Sequence, residues 1–166
     1  MNRFSRPLAF GLAALALPLA ACRQNGAAPE TVQTSESAPE AKPGLSLGGG
    51  RLILPAVSGN PAAAYFSLTN GSDKAVTLAA VDVAGAGMAM MHQTMETSGH
   101  STMGEMKQDE VKPGETLVFA PGGKHVMVSD LPAGLKPGGT IEITLIFADG
   151  DKLSAPLTIE APGGGA

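Results

Sequence analysis

The chain has 166 residues, with 15 acidic against 11 basic side chains and a formal net charge of −4. No basic patch is present, which excludes nucleic acid as a partner. The 22 glycines and 13 prolines disfavour long helices and favour short strands joined by turns, and the single cysteine, Cys22, excludes an internal disulfide.

Residues 1–21 read as a signal peptide. Arg3 and Arg6 make a positive start, Leu8 to Leu19 a short apolar run, and small residues follow. The run is too short for a membrane-spanning helix. It ends in Leu19-Ala20-Ala21-Cys22, which resembles a bacterial lipobox, so Cys22 is expected to be lipidated and to become the first mature residue. Ordinary cleavage, leaving Cys22 as a stray thiol, is the alternative. Several acyl chains would hold the protein at a membrane stably, where one would not. Arg23 follows the cysteine where an aspartate would signal inner-membrane retention. The expected location is therefore the bacterial cell envelope, lipid-anchored and facing the periplasm, with the outer membrane preferred.

Residues 22–44 are rich in Pro, Ala, Ser, Thr and Glu. They carry too little apolar surface to fold and read as a lipidated, disordered linker. Residues 161–166 (Ala-Pro-Gly-Gly-Gly-Ala) read as a disordered tail.

Between them, residues 45–160 form the expected folded domain, and the reading is all-β. Arg51–Val57 suggests a first strand and Ala62–Thr69 a second, closed by the Asn70-Gly71 turn. Ala75–Val83, Thr116–Ala120, Lys124–Ser129 and Leu153–Glu160 follow as strands. Thr140–Ala148 alternates most clearly, with Ile141, Ile143, Leu145 and Phe147 on one face. Seven or eight short strands at this spacing predict a sandwich or barrel.

The stretch Met88–Met127 holds the chemistry. It contains all three histidines, His92, His100 and His125, and every methionine except the initiator. Imidazole and thioether form a soft, neutral ligand set, which selects Cu(I) over hard cations. In a strand Lys124–Ser129, His125 and Met127 project to the same face, two residues apart. Read alone, that pair could equally be a surface His and a core Met. His92 and Met103 lie in a Met-rich segment with no obvious core periodicity, and Thr97-Ser98-Gly99 between them suggests a hairpin tip that returns the second arm to the first.

The spacing His92-x10-Met103-x21-His125-x-Met127 resembles the signature of the periplasmic CuA copper chaperone family (PCuAC-type). The flanks resemble it too: Ala64-Tyr65 to Asn70, Val111-Lys112-Pro113-Gly114, the Pro121-Gly122-Gly123-Lys124-His125-Val126-Met127 block, and Thr144-Leu145-x-Phe147. The likeness covers roughly residues 50–160. It implies a cupredoxin-like β-sandwich, a Cu(I) site made by His92, Met103, His125 and Met127, and delivery of copper toward the CuA centre of cytochrome c oxidase. The implied partner is the CuA-bearing oxidase subunit or another copper chaperone, and the implied state a monomer. Met90, His100 and Met106 are candidate secondary ligands, with His100 also read as a solvated loop residue and Met106 as rim packing. Binding of Cu(II) is left open.

A metal carrier that is not an enzyme is the expectation. No thiolate is present in the domain to build a blue copper centre, and the histidines are too few for a catalytic copper site. A copper-buffering lipoprotein that binds several ions is the alternative. Because imidazole must be neutral to ligate, and a free histidine side chain protonates near pH ~6.5, Cu(I) affinity should weaken as pH falls below about 6.

Overall fold

The computed structural model describes residues 42–97 and 99–163. The signal peptide, Cys22, most of the expected linker and the last three residues lie outside them. All regular structure among the described residues is β.

Ten strands follow in chain order: β1 (Leu45–Ile53), β2 (Ala62–Asn70), β3 (Val76–Val83), β4 (Met88–Thr97), β5 (His100–Glu105), β6 (Asp109–Val111), β7 (Thr116–Phe119), β8 (Lys124–Ser129), β9 (Thr140–Phe147) and β10 (Lys152–Glu160). Their hydrogen-bonded order is β5-β4-β8-β7-β2-β1-β10-β9-β3-β6, with β8 also paired to β2. The β1–β10 and β7–β8 pairs are parallel and the others antiparallel.

The strands with clean alternation form where expected. In β2 every second residue, from Ala62 through Ala64, Phe66 and Leu68 to Asn70, is buried. In β9 the buried set is Ile141, Ile143, Leu145 and Phe147. These faces meet in one core with Leu78 and Val83 of β3, Met91 of β4, Val126 and Val128 of β8, and Leu157 of β10. Phe66 stacks on Phe119 of β7 with ring centres 4.5 Å apart. Apolar area taken from water is the main stabilising term, about 1.5–3 kcal/mol for each large side chain fully buried. The result is the all-β sandwich the pattern predicts.

Two elements differ from expectation. The first strand spans Leu45–Ile53 rather than Arg51–Val57, and Gly48-Gly49-Gly50 forms an irregularity within it. The β1–β2 register shifts between Gly48 and Arg51, Gly49 has φ +62°, and a Cβ on Gly50 would sit 2.8 Å from Cδ2 of Leu157. Glycine is required there both for conformation and for room. The Met-rich segment forms the hairpin β4–β5 that the tip at Thr97-Ser98-Gly99 suggests, with Thr97 paired to His100. The three-residue β6, too short to show a period, pairs with β3.

The C-terminal end of the expected linker is fixed to the domain. Lys42 donates to Asp149 and, at 2.7 Å, to Asp151, and its ammonium lies over the Phe147 ring, 5.1 Å from the centroid. Desolvation is the largest single influence on Lys42 and acts downward, but the hydrogen bonds and charges of the two aspartates together raise it above 10.5. The hydrogen bond from Lys42 holds the Asp149 carboxyl below its ordinary 3.8. A depressed carboxylate contributes stability above its unfolded value and loses it as pH falls through the folded value. The clamp is therefore expected to open only below pH 3.8, and acid titration of the Lys42 amide by NMR should show no movement between pH 5 and pH 8. Movement inside that range would contradict the assignment.

Candidate metal centre

The site is built on three adjacent strands, β5-β4-β8. In the β4–β8 ladder His92 lies directly opposite His125, Met90 opposite Met127, and Met88 opposite Ser129. In the β4–β5 ladder Thr94 lies opposite Met103 and His92 opposite Glu105. Residues directly opposite share a face, as do residues two apart on one strand. His92, His125, Met103 and Met127 therefore lie on one face of this three-stranded corner, together with Met88, Met90 and Glu105. The other face belongs to the core: Met91 is 3% exposed, and Val126 and Val128 are fully buried. Met91 is thus the side chain that seats the central strand, and its neighbours on either side, Met90 and His92, are turned outward by the pleat.

The two imidazoles sit edge to face, with ring centroids 5.9 Å apart and planes at 61°. Metal–nitrogen distances near 2 Å put the ring centres of two imidazoles on one ion roughly 5–6 Å apart, so this separation suits a shared ion. Met103 on β5 and Met127 on β8 are each diagonal to His92, within reach of a long, flexible thioether side chain.

Both histidines are held away from water, in different ways. His125 is 6% exposed, and its Nδ1 lies 3.0 Å from the carbonyl oxygen of Gly123. A carbonyl only accepts, so Nδ1 carries the proton and donates. The lone pair is left on Nε2, free to ligate. That carbonyl is set by the turn before β8, where Gly123 N donates to the Ala120 carbonyl, Ala120 N donates to the Lys124 carbonyl, and Gly122 has φ +77°. Sequence reasoning saw the Pro-Gly-Gly turn but not that it orients the imidazole. His92 is the opposite case, since both its ring nitrogens are buried with no hydrogen-bond partner. A desolvated polar group without a partner is unfavourable by about 1–3 kcal/mol, and a cation bound at one of these nitrogens would give it a partner. Among the described residues no three His, Cys, Asp or Glu side chains converge as a metal cluster, and the soft side chains beside this pair are the thioethers of Met103 and Met127.

The secondary candidates separate. Met90 joins the face of the site, opposite Met127. His100 is exposed and pairs with Thr97 at the hairpin tip. That position is five residues along β4 from His92, and on the other face. Met106 follows Glu105 and packs against the core, with its backbone N–H donating to the Met91 carbonyl at 2.8 Å, so the pleat turns it away from the two histidines. Of the four candidate ligands the exposed one is Met103, at 57%, on the edge strand β5. Lys124 is held beside the site by an ion pair with Asp109.

A family profile described as "Putative lipoprotein LpqE-like" matches residues 45–159. The chain belongs to the LpqE-like family. A curated relative, "Putative lipoprotein Lxx21020" of Leifsonia xyli subsp. xyli, is 38% identical over 90 residues, which are 53% of this chain and 54% of that one. This LpqE-like chain thus aligns with about half the length of that relative. Among solved structures, the copper-bound PCuAC domain from PmoF2 superposes with a TM-score of 0.61 at 21% identity, over 76% of this chain and 100% of that one. The Cu(I) form of DR1885 from Deinococcus radiodurans gives a TM-score of 0.58 at 30% identity, over 72% and 80%. The fold of the LpqE-like domain is therefore the cupredoxin-like sandwich of PCuAC domains, as the motif resemblance implies.

Proposed function

We propose that this protein is a copper carrier of the cell envelope that binds Cu(I) through His92, His125, Met103 and Met127 and passes it on, without catalysing a reaction. The observation that carries this reading is the register. Four residues scattered over 36 positions of sequence fall on one face of β5-β4-β8, with the two imidazoles 5.9 Å apart. The Cu(I)-bound form of DR1885, which is 30% identical, supports it.

The ligand set explains both capture and release. All four ligands are neutral, so the site carries only the charge of its ion and prefers Cu(I). His125 is buried and oriented by Gly123, and His92 has both ring nitrogens buried, so the imidazoles form the fixed half. The thioethers are the mobile half: Met103 lies at the sheet edge, and Met127 is half-buried. An acceptor can displace Met103 first and take the ion by stepwise exchange, with no charged protein ligand to remove. The acceptor is the CuA-bearing subunit of cytochrome c oxidase or another copper chaperone. Lipidation at Cys22 tethers the domain to the membrane through the linker, facing the periplasm.

A second reading is a buffering lipoprotein, and one observation favours it: Met88 and Met95 are surplus thioethers at 52% and 50% exposure. The test is transfer. The Cu(I)-loaded protein is mixed anaerobically with excess apo CuA domain, and both are assayed for copper after separation. Copper should move to the acceptor, and retention would overturn the carrier reading. The same sample should bind Cu(I) less tightly at pH 5 than at pH 7, because protonated imidazole does not ligate; equal affinity would contradict ligation by two histidines.

A further inference from the structure

The four ligands do not exhaust the soft side chains on the face of the site. Met90 lies directly opposite Met127 in the β4–β8 ladder, and Met88 lies two residues further along β4, opposite Ser129. The alternation that turns Met91 into the core turns both of these outward. Opposed side chains in an antiparallel pair have Cβ atoms about 4.5–5.5 Å apart, and positions two apart on one strand are separated by about 7 Å. A methionine side chain is long, unbranched and free to rotate at three bonds. Three sulfurs on this frame can converge on one ion. Exposure rises along the row: His125 is 6% exposed, Met127 and Met90 are half-buried, and Met88 is 52% exposed. A large apolar side chain half in water at the end of a graded row of thioethers is what a port for a soft ion requires. Met88 is exposed and is not one of the buried residues that make up the core.

We propose that Met88, Met90 and Met127 form a second Cu(I) site, made only of thioethers, which shares Met127 with the histidine site. This rests on the histidine site being where the first ion sits. Because Met127 belongs to both sets, an ion can pass between them by exchanging the other ligands while one Cu–S bond is kept. Met88 is then the outermost contact with an incoming or departing ion. Met95 and His100 are outside the set, since the β4–β5 register puts them on the opposite face of the hairpin.

The test is anaerobic Cu(I) titration of the full chain against a chelator, with the metal alone as ligand, in the parent and in the Met88→Leu, Met90→Leu double variant. Leucine keeps the volume and apolar character of these positions and should leave the fold intact, which circular dichroism checks. The expected result is two equivalents in the parent and one in the double variant, with the remaining equivalent unchanged in affinity. A His92→Ala, His125→Ala variant should keep one equivalent, with only sulfur around copper in X-ray absorption, and lose it when the two leucines are added. One equivalent in the parent, unaffected by the leucines, overturns the second site and leaves the first standing. Two equivalents retained in the double variant place the second ion elsewhere and also overturn it. No binding at all overturns both readings together.

Discussion

Replacing His92 by leucine should lower Cu(I) affinity by at least about 100-fold and should raise the stability of the metal-free protein by about 1 kcal/mol. The two effects have opposite signs because they act on different states. In the free protein both ring nitrogens of His92 are buried without a partner. Each unpaired buried polar group is unfavourable by about 1–3 kcal/mol, and leucine removes both while filling much of the space. In the loaded protein the same substitution deletes a ligand. Changing a residue that only supports a ligand reduces metal affinity about 10–100-fold, so loss of the ligand itself should reach at least the upper end. His125→Leu should match it in affinity but not in stability, because that ring has a hydrogen bond with the Gly123 carbonyl to lose. Chemical denaturation of the apo proteins and Cu(I) competition titrations read the two quantities separately. A His92→Leu protein that is destabilised by more than about 2 kcal/mol, or that binds Cu(I) within about fivefold of the parent, would contradict this account.

Asn70→Ala should be the more damaging change to the fold, lowering stability by about 3 kcal/mol and the melting temperature by roughly 15 °C. Asn70 is fully buried. Its Nδ2 donates to the carbonyls of Lys74 at 2.7 Å and Val111 at 2.9 Å, and its Oδ1 accepts from the backbone and hydroxyl of Ser72. Its own backbone exchanges bonds with Glu115 and Gly114. One side chain thus joins the end of β2 to the following turn and to the end of β6. Alanine would leave the Val111 carbonyl without this partner and the turn without its organiser. Thr69→Ala is the control, since its hydroxyl bonds an exposed neighbour, Thr116, at 2.9 Å, and its loss should stay within about 0.5 kcal/mol. Thermal melts of both variants check the pair, and a loss below 1 kcal/mol for Asn70→Ala would show the network to be dispensable.

How far the sequence could be read depended on range. Local geometry was legible. His125 and Met127 share a face because they are two apart in a strand whose ends are marked by a Pro-Gly-Gly turn. The alternation of Ile141, Ile143, Leu145 and Phe147 marks the core face of β9 without further information. The pairing of His92 with His125 was not legible from pattern alone. A slip of one residue in the β4–β8 ladder would turn His92 inward and Met91 outward, and a strand reading Met-Ala-Met-Met-His gives no polar–apolar contrast to choose between them. The fold is legible instead through the four-residue spacing, which resembles a family whose architecture supplies the register, and the same spacing implies the candidate site. The start of β1 at Leu45 is not legible, because three consecutive glycines carry no side-chain alternation. In the fold they form an irregular stretch of β1 packed tightly on Leu157. The unpaired state of His92 and the orienting role of the Gly123 carbonyl depend on burial and on contacts across strands, and no local pattern encodes either.

The measurement that bears most directly on the copper site is X-ray absorption at the copper edge, on the protein loaded anaerobically with one equivalent of Cu(I). The account predicts two imidazole nitrogens, visible by the outer-shell scattering of their rings, together with two sulfurs. The imidazole signal should be lost in the His92→Leu, His125→Leu protein. A shell of sulfur alone at one equivalent, or of nitrogen and oxygen alone, would contradict it.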